Sequence, residues 1–516
     1  MKTSNFSIKN ISKIISSNKF FIGIIILLII QSLWIAASSN YPMAFDEDFH
    51  VGLIKLYSEH LLPFWSAHPV AGDPYGALTR DPSYLYHYIL GILYIPLNFL
   101  INSFEAQIMF FRIINIGLLA TSLIIFKKLL SLTGASSAII NLTLLIFVLV
   151  PVVPLLGAQI NYDNLIIPLT AYALLLTVQL IQSFNKKSFE MAILLKLLAV
   201  CLFASLVKYA FLPIFLSIAI FVPVYAFRNY GSLSKIYKAF IASWIACSKY
   251  AKILLMIAII IFGGLAIERY GVNMAQYHKP VPDCGQVLSY DNCKSYGPWI
   301  RDYNFALNKV PNTDTSAFAY TTRWTYGMWL RSFFSVSGKI SDFKVGNMVL
   351  NYQSRGPLLL PAIGSAIFII SGFAVLLLKY RDIYKKYQPP VIVLFTISIG
   401  LTAIILWMTQ YQFFIKTTQP VAINGRYLFP VLPLIFFLFL LGFNELIRSI
   451  RLKTMLASLL IICFIWGGGA LTYVLRSETY WYWPNSSLEP VNMFLQRNLG
   501  PLVPGYNNDQ IFLRKV

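Results

Sequence analysis

The sequence predicts an all-α fold, a polytopic transmembrane bundle of about eleven helices, on three observations. Hydrophobic residues make up 57% of the 516 positions and charged residues only 12%, with a mean hydropathy of +0.66. Apolar runs recur at close to the roughly 20 residues a helix needs to cross hydrocarbon. Lys and Arg gather in alternate gaps between those runs, as cytoplasmic loops do.

The first run, Phe20 to Ser38, follows Lys2, Lys9, Lys13 and Lys19. A signal peptide has the same flanks, with Ala36-Ala37-Ser38 as its cleavage region. This run exceeds the usual h-region of about 7–15 residues, so we read it as a retained first helix. Further spans are expected at 106–126, 134–156, 164–183, 191–206, 209–227, 253–268, 357–378, 389–408, 427–446 and 454–474. The basic segments Lys127-Lys128, Lys186-Lys187, Arg228 to Lys252, Lys379 to Lys386 and Arg448 to Lys453 then lie inside, with the N-terminus cytoplasmic and the C-terminus outside. On this reading residues 1–475 form one membrane domain with outer loops 40–105 and 269–355, residues 476–516 form an extracytoplasmic tail, and the chain sits in the plasma (inner) membrane.

In the first outer loop, Asp46 to Leu62 reads as a helix lying on the membrane, with Leu53, Leu56, Tyr57 and Leu61 on its apolar face and Pro63 ending it. Pro82 to Phe99, interrupted by Pro96 and rich in Tyr, reads as a second interfacial or partly inserted helix. The second outer loop carries Cys284 and Cys293, spaced for a small disulfide on an oxidising face. His278 lies near them, but no CxxC pair or acid cluster at ligand spacing argues for a metal site there.

The formal net charge of +21 belongs largely to the cytoplasmic loops, which hold topology and meet anionic lipid; no nucleic-acid partner is indicated. The outer segments add Arg269, Lys279, Arg301, Arg323, Arg331, Arg355, Lys416 and Arg426, a positive face suited to phosphate-bearing lipids. Against this scarcity of acids, the run Phe45-Asp46-Glu47-Asp48-Phe49-His50, directly after the first span, marks a site for chemistry at the membrane surface. No P-loop or dinucleotide fingerprint accompanies it.

The ordered series "FDEDFH", "DPSYLYHYILGILYIPLNFL" and "FFRIINIGLL" resembles the family C (GT-C) glycosyltransferases, integral membrane enzymes such as the protein mannosyltransferase-like and aminoarabinose transferase-like groups. "INYDNLIIPL", "SLVKYAFLP", "INGRYLFPVLPL" and "CGQVLSYDNCKSYGPWIRDY" are similar to landmarks of an uncharacterised branch of predicted membrane proteins in that superfamily. The resemblance implies transfer of a sugar from a polyprenyl-phosphate donor, with an acid of the first outer loop as base; Asp46 matches that position best.

Such a reaction breaks a bond to an easily departing phosphate, so it needs a base for the acceptor hydroxyl and positive charge for the leaving group. Asp46 is the leading base, with helix capping as its other reading. Glu47 is the alternative base or a ligand for a divalent cation such as Mg or Mn, which Asp163 would share. His50, one turn on from Asp46 and Glu47, shares their face and contacts donor phosphate or acceptor, or is an interfacial histidine with no special task; Asp163, at the outer end of the fourth helix, is a second acid of the substrate site or a helix cap. Arg426 is the leading phosphate contact, followed by Lys208, Lys416 and Arg112. Tyr84, Tyr86 and His87 bound a sugar or lipid pocket, or form an aromatic belt. The acceptor is a glycan, a lipid or a protein. The runner-up is a lipid-linked glycan transporter or flippase, for which paired broken helices in two repeated halves are not seen in the sequence; a polysaccharide ligase or polymerase is the third reading.

Overall fold

The computed structural model describes residues 8–60, 62–64, 74–334, 336–345 and 348–507. Among these the chain is helical apart from one hairpin, in which strand β1 (Val336–Val345) pairs antiparallel with strand β2 (Met348–Arg355), Val336 opposite Arg355. Eight helices are long and apolar enough to cross a membrane: Asn18–Ser38, Phe104–Ser131, Asp163–Asn185, Tyr209–Tyr230, Lys249–Tyr277, Leu359–Lys386, Pro389–Thr417 and Ile450–Arg476. The expected spans 134–156, 191–206 and 427–446 are the shorter helices Ser137–Leu149, Met191–Val207 and Leu432–Leu446. The first of these is cut short by Pro151, after which a separate turn, Val152–Gly157, begins.

The bundle is layered by burial. The Asp163–Asn185 helix lies at its centre, packed between the helices Phe104–Ser131 and Met191–Val207, and most of its apolar length is enclosed. Leu144, Phe147 and Val148 share the core with Phe436 and Phe437, and each is almost fully buried. The Lys249–Tyr277 helix keeps none of its apolar stretch buried, so its side chains are left for lipid.

The segment expected as the first outer loop packs its helix on the protein. Its helix, Glu47–Ser58, turns Leu53, Ile54 and Tyr57 into the protein against the Leu85–Leu100 helix; Leu61 falls outside the described residues. Gly91 permits that crossing: a Cβ there would sit 3.0 Å from the Ile54 carbonyl oxygen and 3.1 Å from the Ser58 nitrogen. In the segment expected as the second outer loop, Cys284 and Cys293 are joined as a disulfide. The tail packs on the bundle: Trp34 Nε1 donates to Asn492 Oδ1 at 2.9 Å, and buried Arg476 donates to the carbonyls of Gly356, Pro357 and Gly505.

Candidate functional site

Asp46 stands at the N-cap of Glu47–Ser58 without capping it: its side chain makes no hydrogen bond to the first turn. The backbone explains why. Phe45 and Asp46 have φ of 61° and 66°, two successive left-handed residues that are not glycine, at a cost of order 1–3 kcal/mol each. Such strain persists only where neighbours impose it, and here the Phe45 carbonyl accepts from Asn161 Nδ2 at 3.0 Å and from Arg426 Nη1 at 3.3 Å. The kink turns the Asp46 carboxylate toward Arg426 Nη2, 3.3 Å away, while leaving the side chain 65% exposed.

Arg426 comes from the short turn Gly425–Leu428, 380 positions later in the chain. Only glycine fits before it: a Cβ on Gly425 would lie 1.2 Å from Ser332 Oγ and 2.5 Å from the Met328 carbonyl oxygen. Asn424 Oδ1 accepts from the Arg426 backbone N–H at 3.1 Å and fixes the turn. The guanidinium is buried, stacked 4.9 Å from the Phe45 ring and 5.5 Å from Tyr427, with Nε 3.8 Å from Asp163 Oδ2. Burial opposes its charge, but Tyr427, Asp163 and Asp46 outweigh that and raise its pKa above the ordinary arginine value.

Asp163 opens the Asp163–Asn185 helix and also leaves the capping to others; Asn161 Oδ1 accepts from its backbone N–H at 2.9 Å. Its Oδ1 pairs with Lys208 Nζ, which lies 4.3 Å from the Tyr162 ring and 4.9 Å from Tyr427. Lys208 is extended (φ −156°, ψ 125°) at the break after the Met191–Val207 helix, which lets a buried ammonium reach a partner. Asp163 Oδ2 and Arg426 Nε face each other too far apart to hydrogen-bond, and among the described residues neither atom has a hydrogen-bond partner. The four groups sum to zero charge, with bonding capacity left over at the centre.

Two sequence candidates occupy a different place. Glu47 and Arg112 are fully buried and bound to each other, Arg112 Nε to Oε1 at 2.9 Å and Nη2 to Oε2 at 2.8 Å. The Met43 and Ile160 backbone N–H groups add bonds of 2.7 and 3.1 Å to the two Glu47 oxygens. Arg112 spends its remaining N–H groups on the carbonyls of Ala36, Ser39 and Asn40. This is a clamp that ties the end of the first span to the Phe104–Ser131 helix. In this arrangement the hydrogen-bonding groups of Arg112, expected as a phosphate ligand, and of Glu47, expected as a base or cation ligand, are all engaged within the protein. Among the described residues no three His, Cys, Asp or Glu side chains converge to hold a metal ion, so the donor set does not fit a protein-caged cation.

The aromatic candidates separate likewise. Tyr86 donates to Asn115 Oδ1 at 2.9 Å, and Tyr84 lies 4.8 Å below the Arg269 guanidinium, in the contact that holds the loop to the Lys249–Tyr277 helix. Lys416 is exposed on the last turn of Pro389–Thr417. His50 and His87 are buried together beside Tyr162. Asn115 was missed from the sequence, although a lone polar side chain one turn beyond Arg112 in an apolar helix was its signal; its Oδ1 accepts from Tyr86, Asn161 N–H and Asn164, joining three segments under the site. A cavity of about 10 Å³ lies between Asp163, Lys208 and Tyr427, whereas the roughly 380 Å³ cavity lined by Leu440, Asn444 and Lys453 is at the far end of the Leu432–Leu446 helix, away from this chemistry. No family model matches the chain, and neither a curated protein nor a solved structure is significantly similar to it.

Proposed function

We propose that the chain is a membrane glycosyltransferase that moves a sugar, with inversion, from a polyprenyl-phosphate donor to a hydroxyl of a glycan, lipid or protein acceptor at the extracytoplasmic face of the plasma membrane. The three short helices complete eleven spans in this proposal, with the N-terminus cytoplasmic. One observation carries the reading: an exposed carboxylate, held by strained backbone out of its capping position, faces a buried arginine that also lies against an aspartate–lysine pair.

The chemistry that suits this arrangement is a single displacement. Asp46 takes the proton of the acceptor hydroxyl, the acceptor oxygen bonds to the anomeric carbon, and the carbon–oxygen bond to phosphate breaks with its electron pair leaving on the phosphate. The donor diester carries one negative charge and the departing monoester gains a second. Arg426 and Lys208 therefore interact more strongly with the transition state than with the bound donor, which is the condition for faster turnover. Donor binding also draws Arg426 from Asp46 and frees the base. No step is routed through a divalent cation.

Asp46→Asn tests the assignment, since it removes the base and keeps the shape. Transfer falls by roughly 10²–10⁴-fold while donor affinity is retained. Full transfer activity in Asp46→Asn overturns the role of Asp46.

A further inference from the structure

The cavity of about 380 Å³ at the far end of the Leu432–Leu446 helix falls within the size range of ligand sites, about 300–1,000 Å³. Three pieces of chain enclose it: the segment entering the Asn18–Ser38 helix, the start of Ser137–Leu149, and the connection from Leu432–Leu446 into the Ile450–Ile465 helix. Asn141 Nδ2 donates to the Ile15 and Ser17 carbonyls at 2.7 and 3.2 Å, which pins the first of these to the second. Ile139, Leu142, Leu440, Phe443, Leu456 and Leu460 make the walls apolar. Leu460 lies about 15 Å along its helix from Ile450, about half the ~30 Å thickness of bilayer hydrocarbon. Met455 and Leu459 of the same helix are exposed, so lipid runs beside the cavity.

The charged lining gathers at the helix ends. Arg448 makes no hydrogen bond or ion pair among the described residues, and Lys453 Nζ donates to the neutral Asn444 Oδ1 at 2.8 Å. No carboxylate is in the lining; Glu445, in the same connection, takes Lys386 Nζ at 2.7 Å instead. Ser136 stands at the N-cap of Ser137–Leu149 without capping it, which leaves its hydroxyl to donate into the cavity it lines.

We propose that this cavity holds an acyl chain of one anionic glycerophospholipid, with the lipid phosphate at Arg448 and Lys453. Two cations without a counter-charge, over apolar walls that reach one leaflet deep, match a negative head on an apolar tail, and basic pockets between membrane helices recruit such headgroups. A free phosphate would leave the walls unfilled, and a lipid without net charge would leave the cations unmatched. The site lies away from the Asp46–Arg426 cluster and does not depend on the transferase reading. That the leaflet is the cytoplasmic one rests on the orientation proposed above.

Native mass spectrometry tests this on full-length protein released from nanodiscs of phosphatidylglycerol and phosphatidylcholine, equal in amount and matched in their chains. The wild type retains phosphatidylglycerol in preference. Arg448→Gln/Lys453→Gln cuts that preference about 25-fold, at about five-fold for each cation. Arg228→Gln/Lys235→Gln, at exposed cations that do not line the cavity, leaves the preference unchanged. Ala457→Trp fills the cavity with both cations in place and removes the retained lipid. Equal retention of the two lipids by the wild type overturns the proposal, as does an equal loss in the two Gln pairs, which would mark a general attraction of the basic surface. Phosphatidylglycerol held by Ala457→Trp as firmly as by the wild type overturns the seat of the chain. No arm reads sugar transfer, so a failure here is distinct from a failure of the transferase reading.

Discussion

Glu47→Gln separates two adjacent carboxylates that the sequence leaves indistinguishable. Glu47 accepts four hydrogen bonds, of 2.7, 2.8, 2.9 and 3.1 Å, with its side chain and that of Arg112 fully buried. Gln keeps the shape, but its amide N–H₂ must face one donor pair, either Arg112 Nη2 with Met43 N–H or Arg112 Nε with Ile160 N–H. The guanidinium is also left without a counter-charge. Removing one partner of a buried pair costs about 3–5 kcal/mol, which lowers the folded-to-unfolded ratio by roughly two to three and a half decades. Asp46→Asn is the internal control: the side chain is 65% exposed and Asn tolerates the left-handed backbone, so its stability stays within about 0.5 kcal/mol of wild type. Thermal and denaturant unfolding midpoints of the three proteins in one detergent check this. A Glu47→Gln protein as stable as wild type yet unable to transfer sugar refutes the clamp and makes Glu47 the reacting carboxylate.

Gly425→Ala drives a Cβ into Ser332 and the Met328 carbonyl, so the turn shifts and Arg426 moves off Asp46; donor affinity and turnover fall together, and unchanged donor affinity would show that the turn does not set the arginine. Burial depresses the folded-state pKa of His87, to about 3, and of His50, where His87, Arg426 and Lys208 add to the effect. The unfolded chain therefore binds protons first as pH falls below about 6.5, so the stability is complete above that value and is lost below it by up to about 1.4 kcal/mol per pH unit per histidine, for His87 down to pH about 3. His50→Asn/His87→Asn flattens that slope; an unaltered slope between pH 6 and 4 contradicts it. Reporter fusions near residues 290 and at the C-terminus read outside and those near 240 and 383 inside, and a cytoplasmic signal near 290 breaks the orientation on which the outer-face site depends.

The residues of the candidate cluster were legible because charge is scarce in an apolar chain. Asp46, Lys208 and Arg426 stand out for that reason, and the rule that a buried ammonium needs a partner anticipates the Lys208–Asp163 pair. What the pattern cannot carry is pairing across the chain. Arg112 and Glu47 are 65 positions apart, so nothing in either motif says that one consumes the other. The left-handed backbone at Phe45 and Asp46 is set by Asn161 and Arg426, not by local propensity, so the capping reading of Asp46 failed for a tertiary reason. Of the apolar face expected on the Glu47–Ser58 helix, Leu53 and Tyr57 are buried, with the Leu85–Leu100 helix crossing closely at Gly91, Leu56 is half-buried and Leu61 lies outside the described residues. The hairpin of β1 and β2 went unseen within a loop read only as structured.

The most direct measurement follows both ends of the breaking bond in proteoliposomes supplied with a polyprenyl-phosphate sugar and an acceptor. The account predicts one polyprenyl phosphate released for each sugar transferred, with the anomeric configuration of the product inverted, and loss of both signals together in Asp46→Asn. Movement of the lipid-linked sugar across the bilayer with its carbon–oxygen–phosphorus bridge intact, and no release of polyprenyl phosphate, would contradict it and make the chain a transporter.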